Sequence, residues 1–133
     1  MRVGAVHDFG QGFTGAKFKW RLSVQFNVAP TAVNEPVQIY LSTGATILTN
    51  VYQDGEPGLI DAAGDVNMIT NMLQLGTLLT TSTVVDHTMT VSGIVRIYDR
   101  YVSPAICNSS SQALRNENGY GFFSLTPLIE MAT

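Results

Sequence analysis

The side chains that could carry acid–base or nucleophilic chemistry are few in this 133-residue chain, and they lie far apart in sequence. The two histidines are His7 and His87, and the single cysteine is Cys107. His87 shares a predicted strand face with Val85, Met89 and Val91, which favours a histidine in the core or at its rim. Cys107 follows Ile106 in a predicted strand, which is typical of an inert buried thiol. No serine lies in a G-x-S-x-G motif and no histidine spacing matches a zinc site, so we predict no enzyme.

Acidic residues concentrate in the segment from Asp54 to Asp65, which holds four of the ten acids. Converging carboxylates can bind Ca²⁺, but the spacing here does not match the D-x-[DN]-x-[DN]-G pattern of a calcium-binding loop. A solvated loop and a loop that contacts a partner are the alternatives. We predict no metal and no cofactor, and we name Asp54, Glu56 and Asp61 as candidate partner contacts.

Basic residues form one cluster, which consists of Lys17, Lys19 and Arg21. The whole chain has seven cations and ten acids, a net charge of −3 and a pI of about 5.1. Seven cations are too few for a strong phosphate-binding surface, so we predict no nucleic-acid partner. The odd positions of the cluster place it on the polar face of a strand, where it is either solvated or in contact with an acidic partner.

Aromatic side chains raise a second class of function, because aromatic faces stack on sugar rings. Trp20 has the position of a core residue, however, and the tyrosines are scattered along the chain. A carbohydrate-binding or adhesion module therefore stays an alternative. Its candidate platform residues are Trp20, Tyr40, Tyr52, Tyr98, Tyr101 and Tyr120.

The elements that must position these side chains are β-strands. From Trp20 to Val28, apolar and polar residues alternate strictly, which is the pattern of a strand with one buried face. A second alternating strand runs from Val37 to Ser42, and we expect the two to pair as an antiparallel hairpin. Further strands are expected at 46–52, 73–80, 85–92, 94–98, 102–108 and within 121–131. Gly76 is expected to mark a bulge or close approach, and Pro104 to mark an edge strand or a bulge.

About eight strands at regular spacing predict an all-β, single-domain antiparallel β-sandwich with a jelly-roll-like arrangement. Residues 1–16 hold four glycines and little patterning, so we expect an extended N-terminal arm, followed by the sandwich at 17–133. Phe9 and Phe13 have no patterned strand to bury them, which favours burial by a partner. We see no signal peptide and no membrane span.

Several short motifs occur in a recognisable order. The segments 20–31 and 37–43 come first, followed by L-G-T-L at 75–78, R-Y-V at 100–102, N-S-S-S-Q-A-L at 108–114 and L-T-P at 125–127. Together they resemble the small β-sandwich head decoration or cement proteins of tailed bacteriophages, over about residues 18–130. The chain departs from that pattern at Ser111, where glycine is common, and in a long insert at 53–71.

The resemblance implies a structural protein on the capsid surface of a virion, made in the host cytoplasm. Its partners would be the major capsid protein and other copies of itself, and the family has no catalytic residues to carry over. Many copies on a symmetrical shell make modest single interfaces sufficient. We expect contact elements in the arm, through Phe9 and Phe13, in the acidic loop, and on the face of Lys17, Lys19 and Arg21.

Overall fold

The computed structural model describes residues 2–4, 6–26, 28–44, 62–63, 72–81, 87–115 and 122–129. These residues form β-strands and, within the same ranges, no helix. The predicted strand at 46–52 and the predicted turn at Asn118 and Gly119 lie outside them. The strands are β1 Arg2–Val3, β2 His7–Asp8, β3 Ala16–Val24, β4 Pro36–Gly44, β5 Ala62–Ala63, β6 Leu73–Leu79, β7 Met89–Ile97, β8 Tyr101–Asn108 and β9 Phe122–Pro127.

The strands form two antiparallel sheets that pack face to face, so the predicted all-β sandwich is confirmed. One sheet has the order β5-β1-β8-β4-β6, and β2 also pairs with β8. The other sheet has the order β7-β3-β9. The main core cluster joins them, because Trp20 and Leu22 of β3 pack in it with Val37 and Ile39 of β4.

Strand β3 lies at the centre of the three-stranded sheet and has the predicted orientation. Its even-numbered side chains from Phe18 to Val24 are buried, while Lys19 and Arg21 are exposed. The strand begins and ends four residues earlier than the alternating run from Trp20 to Val28. After Val24 the chain keeps only an isolated bridge through Phe26, and Val28 is exposed.

The predicted hairpin between the first two long strands is wrong. β3 pairs with β7 and β9, and β4 pairs with β6 and β8, so the two strands lie in different sheets. Alternation identifies which face of a strand is buried but not which strand lies beside it. The segment between β3 and β4 therefore crosses from one sheet to the other.

Strand β7 is one continuous strand where the sequence favoured two. Gly93 lies in its middle, directly opposite Trp20 of β3. A Cβ atom on Gly93 would lie 2.8 Å from Nε1 of Trp20, so the glycine leaves room for the indole ring. His87 precedes this strand and is exposed, which differs from the core or rim position predicted for it.

Gly76 of β6 approaches the same indole ring from the opposite sheet. A Cβ atom on Gly76 would lie 3.0 Å from Cη2 of Trp20. The register between β4 and β6 also shifts here, because Ile39 pairs with Gly76 while Tyr40 pairs with Gln74. The close approach predicted as one alternative for Gly76 is confirmed, and the register irregularity lies directly beside it.

Pro104 lies in β8, which is an interior strand and not the edge strand that the proline suggested. β8 pairs with β4 along one side, while β1 and β2 share its other side. The carbonyl of Pro104 accepts a hydrogen bond from the Gly4 amide, so the amide position of Pro104 also points to the side between β1 and β2. The hydroxyl of Ser103 donates to the carbonyl of Gly4 and replaces the N–H that proline lacks.

Candidate functional site

The aromatic rings of the N-terminal segment pack on the sandwich of their own chain. The ring centroids of Phe9 and Phe13 are 4.7 Å apart, and those of Phe9 and Phe18 are 5.0 Å apart, both in stacked orientations. His7 meets Phe9 edge to face at 4.9 Å. Both rings are half-buried against the core, so their own chain supplies part of the burial predicted to come from a partner.

An ion pair fixes this segment next to the rings. Arg100 donates to both carboxylate oxygens of Asp8, at 2.6 Å from Nε and 2.8 Å from its Nη2 nitrogen. The amide of Gly10 donates to the Asp8 carboxylate, and the amide of Phe9 donates to the Arg100 carbonyl. The hydrogen bond from Arg100, followed by that from Gly10, lowers the pKa of Asp8 to about 2.

A cavity of about 670 Å³ opens beside the aromatic rings, at the edge of the sandwich. Rings of the N-terminal segment line one side of it, and residues of both sheets line the other. An apolar cavity of this size suits an apolar side chain or ligand. Its walls include Phe9, Phe13, Phe18, Val102, Phe123 and Leu125.

The predicted basic cluster lies on the outer face of the three-stranded sheet. Lys19 and Arg21 are exposed, and Lys17 is half-buried. The structure adds a fourth cation that the sequence did not point to, since Arg96 of β7 lies directly opposite Lys17 of β3. Only the strand register brings Arg96 to this face, so no local sequence signal could have placed it there.

A polar cluster holds the loop that precedes β4 against the end of β6. Glu35 accepts hydrogen bonds from the Ser111 hydroxyl at 2.8 Å and from the Thr31 hydroxyl at 3.1 Å. The bond from Ser111 is the main cause of a lowered pKa at Glu35. Buried Thr80 accepts from the Glu35 amide and donates to the Ala32 carbonyl. These contacts are structural, and the role of Ser111 among them is to hold Glu35 in place.

The remaining candidates fall into two groups. Asp54, Glu56 and Asp61 lie outside the described residues. Cys107 is half-buried beside the cluster of Tyr40 and Ala105. Among the described residues, no group of three His, Cys, Asp or Glu side chains could hold a metal ion. In the same part of the chain, no helix is long and apolar enough to cross a bilayer.

Trp20 cannot serve as a sugar-stacking platform in this structure. Only 3% of its surface is exposed, and its ring packs against Gly76 and Gly93. The core position predicted for it is confirmed. The carbohydrate-binding alternative thereby loses the aromatic residue best suited to such stacking.

Fold and surfaces define the class of protein as a small all-β sandwich with a basic outer face on one sheet. Comparison with protein-family models, with curated proteins and with solved structures finds no match.

Proposed function

We propose that this chain is a structural virion protein, a decoration or cement protein that binds the major capsid protein and stabilises contacts between capsomers. The sequence motifs that resemble such proteins support the proposal, as does the β-sandwich on which they fall. A jelly-roll-like strand arrangement and a Gly-rich N-terminal arm belong to the same proposal. The particle would also bring copies of this chain close to one another.

The observation that carries the proposal is the N-terminal segment and the cavity beside it. Short strands β1 and β2, four register pairs with β8 in all, hold the segment on the six-stranded sheet. Phe9 and Phe13 remain half-exposed next to an open apolar cavity of about 670 Å³. An apolar side chain of a neighbouring protein could enter there and bury both rings further, which would favour association.

The experiment is to search for the chain in purified particles of the tailed phage that encodes it, by electron microscopy with an antibody against the purified protein. We expect label distributed over the head surface. Label confined to the tail, together with saturable binding on a glycan array, would favour the adhesion module instead. Absence of the chain from purified particles would overturn the proposal.

A matched pair of variants tests the cavity within the full-length protein. Phe13→Ala removes a ring from the cavity wall, and Thr14→Ala changes an exposed neighbour. We expect fewer copies of Phe13→Ala per particle and an unchanged number for Thr14→Ala. Equal numbers for the two variants would mean that the cavity is not a contact site.

A further inference from the structure

The outer face of the three-stranded sheet has a composition that differs sharply from the rest of the chain. The register places Lys19 of β3 between Ile94 of β7 and Thr126 of β9, and Arg21 between Ser92 and Ser124. The same face carries Lys17 and Arg96 at one end and Phe122 at the other. We call this surface the basic face, and it comprises Lys17, Lys19, Arg21, Ser92, Ile94, Arg96, Phe122, Ser124 and Thr126.

Charge is concentrated on the basic face. It holds four of the seven cations, while strands β3, β7 and β9 contain no acidic residue. The other three cations share the rest of the chain with all ten acids. An acidic protein therefore carries one cationic sheet face.

The basic face also carries exposed apolar side chains. Ile94 is 66% exposed and Phe122 is 50% exposed. The outer side of the six-stranded sheet is mixed, because Tyr40, Ser42 and Ser103 are at most 5% exposed there while Leu79 of β6 is 47% exposed. Ile94 and Phe122 share this face with Lys19 and Arg21, and exposed apolar side chains grouped with polar ones are a feature of protein interaction sites.

The charges of Lys19 and Arg21 are close enough to repel one another. Alternate residues of a strand are about 6.8 Å apart, which is less than the screening length of about 8–10 Å at physiological salt. An anionic surface docked on the face would offset that repulsion.

We propose that the basic face docks an acidic surface of a different protein. Apolar Ile94 and Phe122 lie among serine and threonine side chains, a composition that suits a protein interface. The guanidinium of Arg21 lies over the Phe122 ring, 5.8 Å from its centroid. A polynucleotide would be repelled by the net charge of −3. A two-fold contact between two copies of this face would set cations against cations. The identity of that acidic surface rests on the proposed function, under which it is part of the capsid shell.

The test compares variants of the full-length protein that differ in where charge changes. Lys19→Gln with Arg21→Gln neutralises the centre of the face, and Lys19→Arg with Arg21→Lys keeps its charge. Val33→Glu with Ala113→Glu makes the same change in net charge at exposed positions outside the three strands. The probes are a short poly-L-glutamate peptide and a single-stranded DNA of equal length. Amide chemical shifts are followed by NMR at low and high salt.

We expect poly-L-glutamate to shift amides of β3, β7 and β9 at low salt. The Gln double variant should bind it about fivefold more weakly, as expected for the loss of two exposed charge contacts, while the two other variants bind normally. A response outside these strands, or equal weakening by the Glu double variant, would overturn the proposal. Tighter binding to the DNA would replace it with a nucleic-acid surface. Self-association that only the Gln double variant abolishes would make a second copy the occupant.

Copies per particle provide a separate readout. If the basic face docks on the shell, the Gln double variant should be depleted from particles relative to both controls. If the wild-type chain is absent from particles but poly-L-glutamate still maps to β3, β7 and β9, the proposed function fails and the docking face stands. If the wild-type chain is present and all variants attach equally, the docking face fails and the proposed function stands.

Discussion

The indole ring of Trp20 lies between two glycines, and this arrangement yields a quantitative prediction. Gly93 faces it from the neighbouring strand, and Gly76 faces it from the opposite sheet. A methyl group on Gly76 would lie 3.0 Å from Cη2 and 3.1 Å from Cζ2 of Trp20. We expect Gly76→Ala to destabilise the protein because it forces the two sheets apart at this point.

The magnitude follows from the contact distances. Carbon atoms in ordinary contact are about 3.5–4.0 Å apart, so the new methyl group would be about 0.5 Å too close. Overpacking of this kind costs about 1–3 kcal/mol, and replacing glycine with alanine recovers about 0.4–1 kcal/mol by restricting the unfolded chain. We therefore expect Gly76→Ala to lower the free energy of unfolding by about 1–2 kcal/mol.

A double-mutant cycle with Trp20→Phe isolates the contact. Phenylalanine lacks Cζ2 and Cη2, so Gly76→Ala should be almost neutral in the Trp20→Phe background, with an interaction energy of about 1 kcal/mol or more. Equilibrium urea denaturation followed by far-UV circular dichroism measures all four proteins, and exposed Ser92→Ala serves as the control. Additive effects of the two substitutions, within about 0.5 kcal/mol, would refute the steric explanation.

Three further predictions concern the N-terminal segment and the Thr80 loop. Phe9→Ala should lower the free energy of unfolding by about 1–2 kcal/mol, less than for a fully buried ring, and urea denaturation that is unchanged would contradict the packing role. Because the folded pKa of Asp8 is lowered to about 2 from 3.8, its stabilising effect is present above about pH 4 and disappears as the pH falls towards 2. Asp8→Asn should reduce the loss of stability over that interval, as measured by thermal denaturation at each pH, and an unchanged loss would exclude the ion pair as its cause. Thr80→Val removes two part-buried hydrogen bonds, to the Glu35 amide and the Ala32 carbonyl, and should cost about 1–3 kcal/mol, whereas exposed Thr81→Val should cost much less in the same urea assay.

Residue types predicted the orientation of strands better than their pairing. The alternation from Trp20 onwards correctly separated buried from exposed positions, and the glycine at 76 correctly marked a close approach. Both properties depend on a strand and one packing partner. The wrong hairpin shows the limit, because pairing depends on loops and contacts distant in sequence.

The same distinction applies to the candidate surfaces. Lys19 and Arg21 could be placed on a polar strand face from their spacing alone. Arg96 could not, because its position opposite Lys17 depends on the register between β3 and β7. The contact of Phe9 with Phe18 likewise depends on the path of the N-terminal segment, for which local sequence carries no periodic signal.

On one side β8 pairs with β4 along its length, and on the other side it pairs only with the short strands β1 and β2. This difference has a consequence for the exchange of amide hydrogens. Successive residues of a strand turn their N–H groups to opposite sides, so Ser103 and Ala105 donate towards β4, while Val102 and Ile106 donate towards β2 and β1. Release of the N-terminal segment exposes only the second pair of amides to solvent. A single strand should therefore show two exchange regimes, slow at Ser103 and Ala105 and faster at Val102 and Ile106. The alternation along β8 then measures how often the N-terminal segment opens while the rest of the sandwich stays folded.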